Sequence, residues 1–334
     1  MGKTTRVATV DIMKGICIIM VVVQHCHVLP DVWTSSFTSI YFSFNMPLFF
    51  FLSGLFLPSH RTAREVVAGG WRRLLLPWVV FALLGGLIVD IAVGSRYGRL
   101  SPHGVYLWLV SKPNVPLYFL RALFVATVGC WALSRLCGTQ RQRMAALGVL
   151  CALSWAAFRL SPEPEVLPLF FRGIFGALAL RQACAMAMFM WLGHMVACSV
   201  APAAMKMRPA VAVAVFAGAI AAAWLVGPMP VWWHAVVASG PWSRIVVSAM
   251  CGILAMWALG SLLERCRPLA LAGRFSLPVL VVHYIILMAS VELLGITRQQ
   301  ALPIVVALTP LAAWACVRWL PWACARPASR KLTQ

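Results

Sequence analysis

Acidic side chains are scarce in this chain: eight Asp and Glu stand against 28 Lys and Arg in 334 residues. Charged residues of both signs make up only 11%, where a soluble domain carries about 25%. That deficit excludes a soluble globular protein, and no internal stretch is polar enough to form a separate soluble domain. The acids are scattered and none of the 11 cysteines belongs to a CxxC pair, so no metal-ligand cluster is legible and no metal is expected. Cys17, Cys130, Cys151, Cys184, Cys198, Cys251 and Cys316 lie inside apolar runs and read as small packing residues. Low-complexity tracts and soluble-type repeats are missing too. A formal charge of +20 invites nucleic acid as a partner, but the bases fall in short clusters between apolar runs. That pattern signals membrane topology, and nucleic-acid binding is not expected.

Apolar residues are what the chain has in quantity: 62% of the total, with a mean hydropathy of +0.88. Runs near the bilayer-spanning length recur from end to end, at 10–29, 39–57, 74–93, 115–134, 144–160, one crossing within 167–201, 209–227, 244–262, 275–293 and 303–320. The expected fold is an all-α polytopic membrane protein of about ten helices, with 1–334 forming one membrane-embedded domain. Residues 167–201 could hold two segments, 167–180 and 183–201. Two crossings there would put Lys206 with Arg208, Arg265 with Arg267 and Arg274, and the tail bases Arg326, Arg330 and Lys331 outside. One net crossing returns all of them to the side of Lys3, Arg6, Arg61, Arg64, Arg72 and Arg73. The positive-inside rule favours the second arrangement, with both termini cytoplasmic. The second half of 167–201 is then re-entrant, interfacial or a bent continuation. Asp11 and Lys14 interrupt the start of the first apolar run and no small-x-small site follows it, so it reads as a retained span rather than a cleaved signal. Trp33, Trp78, Trp108, Trp232, Trp233, Trp242, Trp319 and Trp322 sit near span ends, where interfacial anchors are expected.

The first span also carries the chemistry. Asp11 and Lys14 are three apart, share a helix face and can pair. His25 lies eleven residues beyond Lys14, about 16 Å along and near the same face. Ionic groups in hydrocarbon are costly, so they sit at a headgroup boundary or face a polar cavity. His27, two residues on, points to a different helix face from His25, so the two are not expected to form a metal pair.

Four passages carry a resemblance. They are Asp11-Ile-Met-Lys14-Gly15 with His25; Phe44-Asn45-Met46-Pro47-Leu48-Phe49-Phe50-Phe51-Leu52-Ser53-Gly54; Pro116-Leu-Tyr118-Phe-Leu-Arg121-Ala-Leu-Phe124; and Gly273-Arg274-Phe275-Ser276-Leu277 with His283. In this order they resemble the acyltransferase-3 family of bacterial integral membrane O-acyltransferases, particularly its fucose-4-O-acetylase-like branch. Lys14 stands where many members have arginine, Asn45 where the passage often has histidine, and Tyr118 where tryptophan is usual.

The resemblance implies ten membrane helices in the bacterial inner membrane. It implies transfer of an acyl group, usually acetyl, from acyl-CoA as co-substrate to a hydroxyl of a carbohydrate or glycan precursor, without a bound cofactor. Expected partners are therefore an acyl-CoA donor, a glycan acceptor and membrane lipid. A hydroxyl is a poor nucleophile until a base takes its proton, and histidine titrates near neutrality. His25 is the candidate base. Lys14 is a candidate for a CoA phosphate, directly or through Asp11. Asn45 and Ser53 are candidates for substrate contact or for tying helices together. Arg121 and Arg172 need partners or a wet cavity and could meet an anionic part of CoA. His283 is a further candidate, while no motif singles out His194, Asp90 or Glu292. A transporter or flippase without covalent chemistry suits ten spans and intramembrane charge equally well, and a catalytically silent relative is a third reading.

Overall fold

The computed structural model describes residues 7–29, 35–92, 105, 108–109, 115–159, 179–200, 206–227 and 229–324. Nearly all of them are helical. The elements are α1 Ala8–His25, α2 Ser36–Gly54, α3 Ala63–Gly70, a π-helical turn Trp71–Leu75, α4 Leu76–Ala92, α5 Tyr118–Leu136, α6 Gln140–Arg159 and α7 Leu180–Ser199. They continue with α8 Pro209–Val226, a two-stranded antiparallel hairpin (β1 Val231–Trp232, β2 Val237–Ala238), α9 Trp242–Leu262, α10 Arg267–Arg274, α11 Ser276–Leu294 and α12 Leu302–Trp319. A helix occupies each segment read as a span, and eight are long and apolar enough to cross a membrane, α3 to α4 counting as one. The chain is an all-α polytopic membrane protein. The remaining two span-length helices are less apolar for legible reasons: α2 carries Asn45, Pro47 and several serines, and α6 opens on Gln140-Arg141-Gln142-Arg143.

Local signals fix several ends. Thr62 and Glu65 form a capping box, with Glu65 accepting from the Thr62 amide at 2.9 Å, so the third helix begins well before its apolar run. Pro209, Pro268 and Pro303 open their helices, where a missing N–H costs nothing. The second half of 167–201 is a full-length helix, α7, buried among α2, α5 and α6, and its predecessor 167–178 lies outside the described residues.

Small residues decide which helices meet. A Cβ on Gly54 would strike the Met190 carbonyl, and one on Gly193 would strike the Phe51 carbonyl, so α2 and α7 touch backbone to backbone. Gly15 against Leu269 and Gly273 against Asp11 bring α1 and α10 together in the same way. By contrast, only 17% of the spanning window is buried in α8 and in α12, whose Val211, Val213, Leu308 and Leu311 face outward. Those faces suit contact with lipid.

Three contacts order the bundle. Asp11 meets Arg274, His25 meets His283, and His27 meets Arg298. Rising numbers on both sides mean that α1 and α11 run parallel. Lys206 and Glu264 form an ion pair that places the α7–α8 and α9–α10 connections on one side. Some of the tryptophans depart from expectation. Trp108 and Trp233 are buried, Trp233 donating to the Phe42 carbonyl at 2.7 Å and Trp242 to Ser154 Oγ at 3.0 Å. Trp319 and Trp322 are exposed, as anchors would be, and Trp33 lies outside the described residues. A buried indole finds its hydrogen-bond partner inside the bundle as readily as at an interface.

Candidate active site

A cavity of about 480 Å³ runs along α1 between α2, the start of α5, the hairpin and α11. One end is lined by Lys14, Arg73, Ser53 and Ser276; the other by His27, Trp232, His234 and Arg298. His25 lines the stretch between, about 16 Å from Lys14 by helical rise. Lys14 and His25 do therefore look into one space, as their helical phase predicts.

His25 is held by two contacts. Its Nδ1 lies 2.7 Å from the Val21 carbonyl oxygen and 3.4 Å from Nε2 of His283. A carbonyl only accepts, so Nδ1 carries the proton and Nε2 keeps its lone pair. His283 repeats the pattern one layer back: its Nδ1 donates to the Val279 carbonyl at 2.9 Å, leaving its Nε2 to accept from His25. The second histidine is fully buried and does not line the cavity. Tyr284 closes over the pair, its ring edge-on to His25 at 5.3 Å.

The other sequence candidates divide. Asn45 and Ser53 line the cavity. Asn45 Oδ1 accepts from the Met46 amide at 2.7 Å, immediately before Pro47, which has no amide to give. Ser53 donates to the Phe49 carbonyl of its own helix at 2.8 Å, so it ties α2 to itself and not to a neighbour. Asp11 turns away from the cavity to Arg274, Oδ2 to Nε 3.4 Å, and secures α1 to the end of α10. Arg121 is 4% exposed, sits over the Trp78 ring at 5.2 Å and is absent from the cavity lining. Arg172 lies outside the described residues.

Several residues that sequence reasoning passed over line the cavity. Arg73, read as topology signal, projects from the π-helical turn; such turns insert a residue, rephase the side chains and recur at functional sites. Gln24 adjoins His25, and a polar residue there was a signal within reach. Trp232, His234 and Arg298 come from connections whose sequence marks nothing. His27 corrects an expectation. Helix α1 stops at His25, and His27 adopts a left-handed backbone, φ +54°, which returns its ring to the cavity beside His25. That conformation is uncommon for a side chain with a Cβ. Two partners from the α11–α12 turn hold it: Arg298 Nη1 donates to His27 Nε2 at 3.1 Å, and Gln299 Nε2 donates to the His27 carbonyl at 2.9 Å.

Electrostatically the cavity is one-sided. Three cationic side chains and three histidines line it, and no carboxylate does among the described residues. Burial of His234 in the hairpin lowers its pKa from the ordinary histidine value, so the ring is neutral at pH 7. A mainly apolar slot with cationic side chains toward both ends and an imidazole between them can hold an elongated anionic ligand against that imidazole.

A polytopic membrane protein with an elongated cavity lined by histidines and cations is the class that the fold and this arrangement define. The acyltransferase domain of the acyltransferase-3 family matches residues 7–318, nearly the whole chain, and the chain belongs to that family. No curated protein and no solved structure matches it. Membership decides between the readings left open by composition: the protein is a membrane acyltransferase.

Proposed function

We propose that this protein transfers an acetyl or other acyl group from acyl-CoA, supplied from the cytoplasm, to a hydroxyl of a carbohydrate or glycan precursor, as an O-acyltransferase of the bacterial inner membrane. The observation that carries the reading is the place of His25, in a single cavity between a cationic end and an aromatic, polar one. Lys14 and Arg73 suit the phosphates of CoA, and the acyl thioester on its extended arm would reach along the cavity to His25. The acceptor would enter from the end of His27, His234 and Arg298.

On this reading His25 Nε2 takes the hydroxyl proton as the oxygen attacks the thioester carbonyl. The new C–O bond forms, the C–S bond breaks, and the imidazolium returns its proton to the departing thiolate, giving the ester and free CoA. His283 steadies the imidazolium through Nδ1–H of His25. Asn45, beside Met46 at the cavity wall, suits contact with substrate. The residues that carry the family resemblance support the fucose-4-O-acetylase-like branch, and 1–334 is read as one membrane-embedded unit. Parallel α1 and α11 require an odd number of crossings between them; seven lie there when 167–201 crosses once, which fits ten in all and both termini in the cytoplasm.

The test is transfer from acetyl-CoA labelled in the acyl group, in membranes carrying the protein. Label on a saccharide fraction, absent from His25→Gln membranes with equal inserted protein, supports the proposal. Near-normal transfer by a folded His25→Gln protein would sink the assignment of the base. Label appearing only on protein or lipid would sink the acceptor class.

A further inference from the structure

We infer that the far end of the cavity is a subsite for an acidic saccharide, with Arg298 reading an oxyanion (carboxylate or phosphate) on the acceptor. The inference rests on the acyltransfer reading and sharpens it. Arg298 enters the cavity wall from the α11–α12 turn. One of its terminal nitrogens serves His27; among the described residues the other has only the Met288 sulfur, at 3.9 Å, a weak acceptor. Its guanidinium lies 6.0 Å over the Tyr284 ring. Arg298 forms no ion pair among the described residues, and no described carboxylate lines the cavity to neutralise it. A planar guanidinium with spare donors, facing an apolar-walled space, is the side chain best shaped to receive an oxyanion.

Two further observations specify a saccharide around that charge. Gln24 and Trp232 line the same space, and Gln24 Oε1 and Trp232 Nε1 are buried with no hydrogen-bond partner among the described residues. One is an acceptor and the other a donor; buried groups of this kind are costly unless something satisfies them. A hydroxyl does both, and a ring bearing several serves both at once. Trp232 also presents an aromatic wall, continued by His234 at 5.0 Å and Tyr118 at 6.3 Å from His234. The Tyr284 ring touches His25 on one hand and Arg298 on the other. The reactive hydroxyl and the oxyanion therefore belong to the same sugar residue or to adjoining ones.

The experiment is a binding comparison on purified, detergent-solubilised full-length protein, using paired methyl glycosides: glucoside with glucuronide, galactoside with galacturonide, mannoside with mannoside 6-phosphate. The inference expects at least one acidic member to bind roughly 10- to 100-fold tighter than its neutral partner, the range of a charge-assisted hydrogen bond. Arg298→Gln should erase that preference and Arg298→Lys keep part of it, with thermal unfolding of both variants confirming a folded protein. Equal or absent binding across every pair would overturn the inference. So would a preference that survives Arg298→Gln, which would place the anion at Lys14 and Arg73, or one abolished by phosphatidylglycerol, which would make the site a lipid headgroup site. Donor-dependent transfer without acidic preference sinks only this inference. Acidic preference lost in Arg298→Gln, in a protein that transfers no acyl group, sinks only the acyltransfer reading.

Discussion

Replacing His283 separates a positioning role from mere packing. The 3.4 Å contact from His25 is long for an N–H donor, and Val21 shares that proton at 2.7 Å. In the resting enzyme it contributes little, below about 1 kcal/mol. When His25 takes the acceptor proton the contact becomes charge-assisted, and such bonds are about twice as strong. A differential stabilisation of about 1–2 kcal/mol is lost with the acceptor nitrogen, which corresponds to roughly 5- to 30-fold in kcat. His283→Leu should show that loss. His283→Gln, whose amide oxygen can accept from Nδ1–H, should recover a substantial part. Because His283 does not line the cavity, KM for the acyl donor should stay within about twofold, the scatter of single contacts. The assay is acyl transfer in proteoliposomes at varied donor, with unfolding temperature as the control. A folded His283→Leu enzyme with undiminished kcat, or one whose loss falls on donor KM, would refute the relay.

Lys14→Ala and Arg73→Ala should each raise donor KM roughly tenfold or more, as expected for a charged hydrogen bond, while Lys14→Arg keeps most of the donor affinity; acetyl-CoA titrations of transfer check this, and unchanged dependence would move the donor site elsewhere. Gly193→Ala sets a Cβ against the Phe51 carbonyl and should destabilise the α2–α7 contact by about 1–3 kcal/mol, read as a lower unfolding temperature in detergent. Burial lowers the His234 pKa, so the unfolded chain binds that proton more readily than the folded one; stability is full above the ordinary histidine range and falls as pH drops through it. Wild type should therefore lose more unfolding temperature between pH 7.5 and 5.5 than His234→Gln, and equal losses would contradict the burial. A tag after Gln334 should be inaccessible to membrane-impermeant labels in intact cells; external labelling would require an odd number of crossings.

Class and the approximate place of each span were legible in the sequence because both are one-dimensional properties. A bilayer demands about 20 apolar residues per helix and backbone hydrogen bonds closed within each helix, so the runs at 10–29 and 244–262 can be found without knowing their neighbours. The phase of Lys14 and His25 is equally local, since a single helix fixes it. Reading stopped where a helix stopped: His27 was assigned to another face because nothing in the sequence says that α1 ends two residues earlier. It stopped again at partners distant in the chain. The spacing of Asp11 and Lys14 is local, but Gly15 and Gly273 also admit a backbone-to-backbone approach that brings Arg274 to Asp11 from 263 residues away, which no local spacing signals. Gln24, Trp232, His234 and Arg298 became one wall only when α1, the hairpin and the α11–α12 turn were packed together. Hydropathy determined that the protein is built of long apolar helices and what kind of solvent they meet. Which faces enclose the cavity was decided by close packing between those helices, because small residues and buried indoles act on whatever surface reaches them.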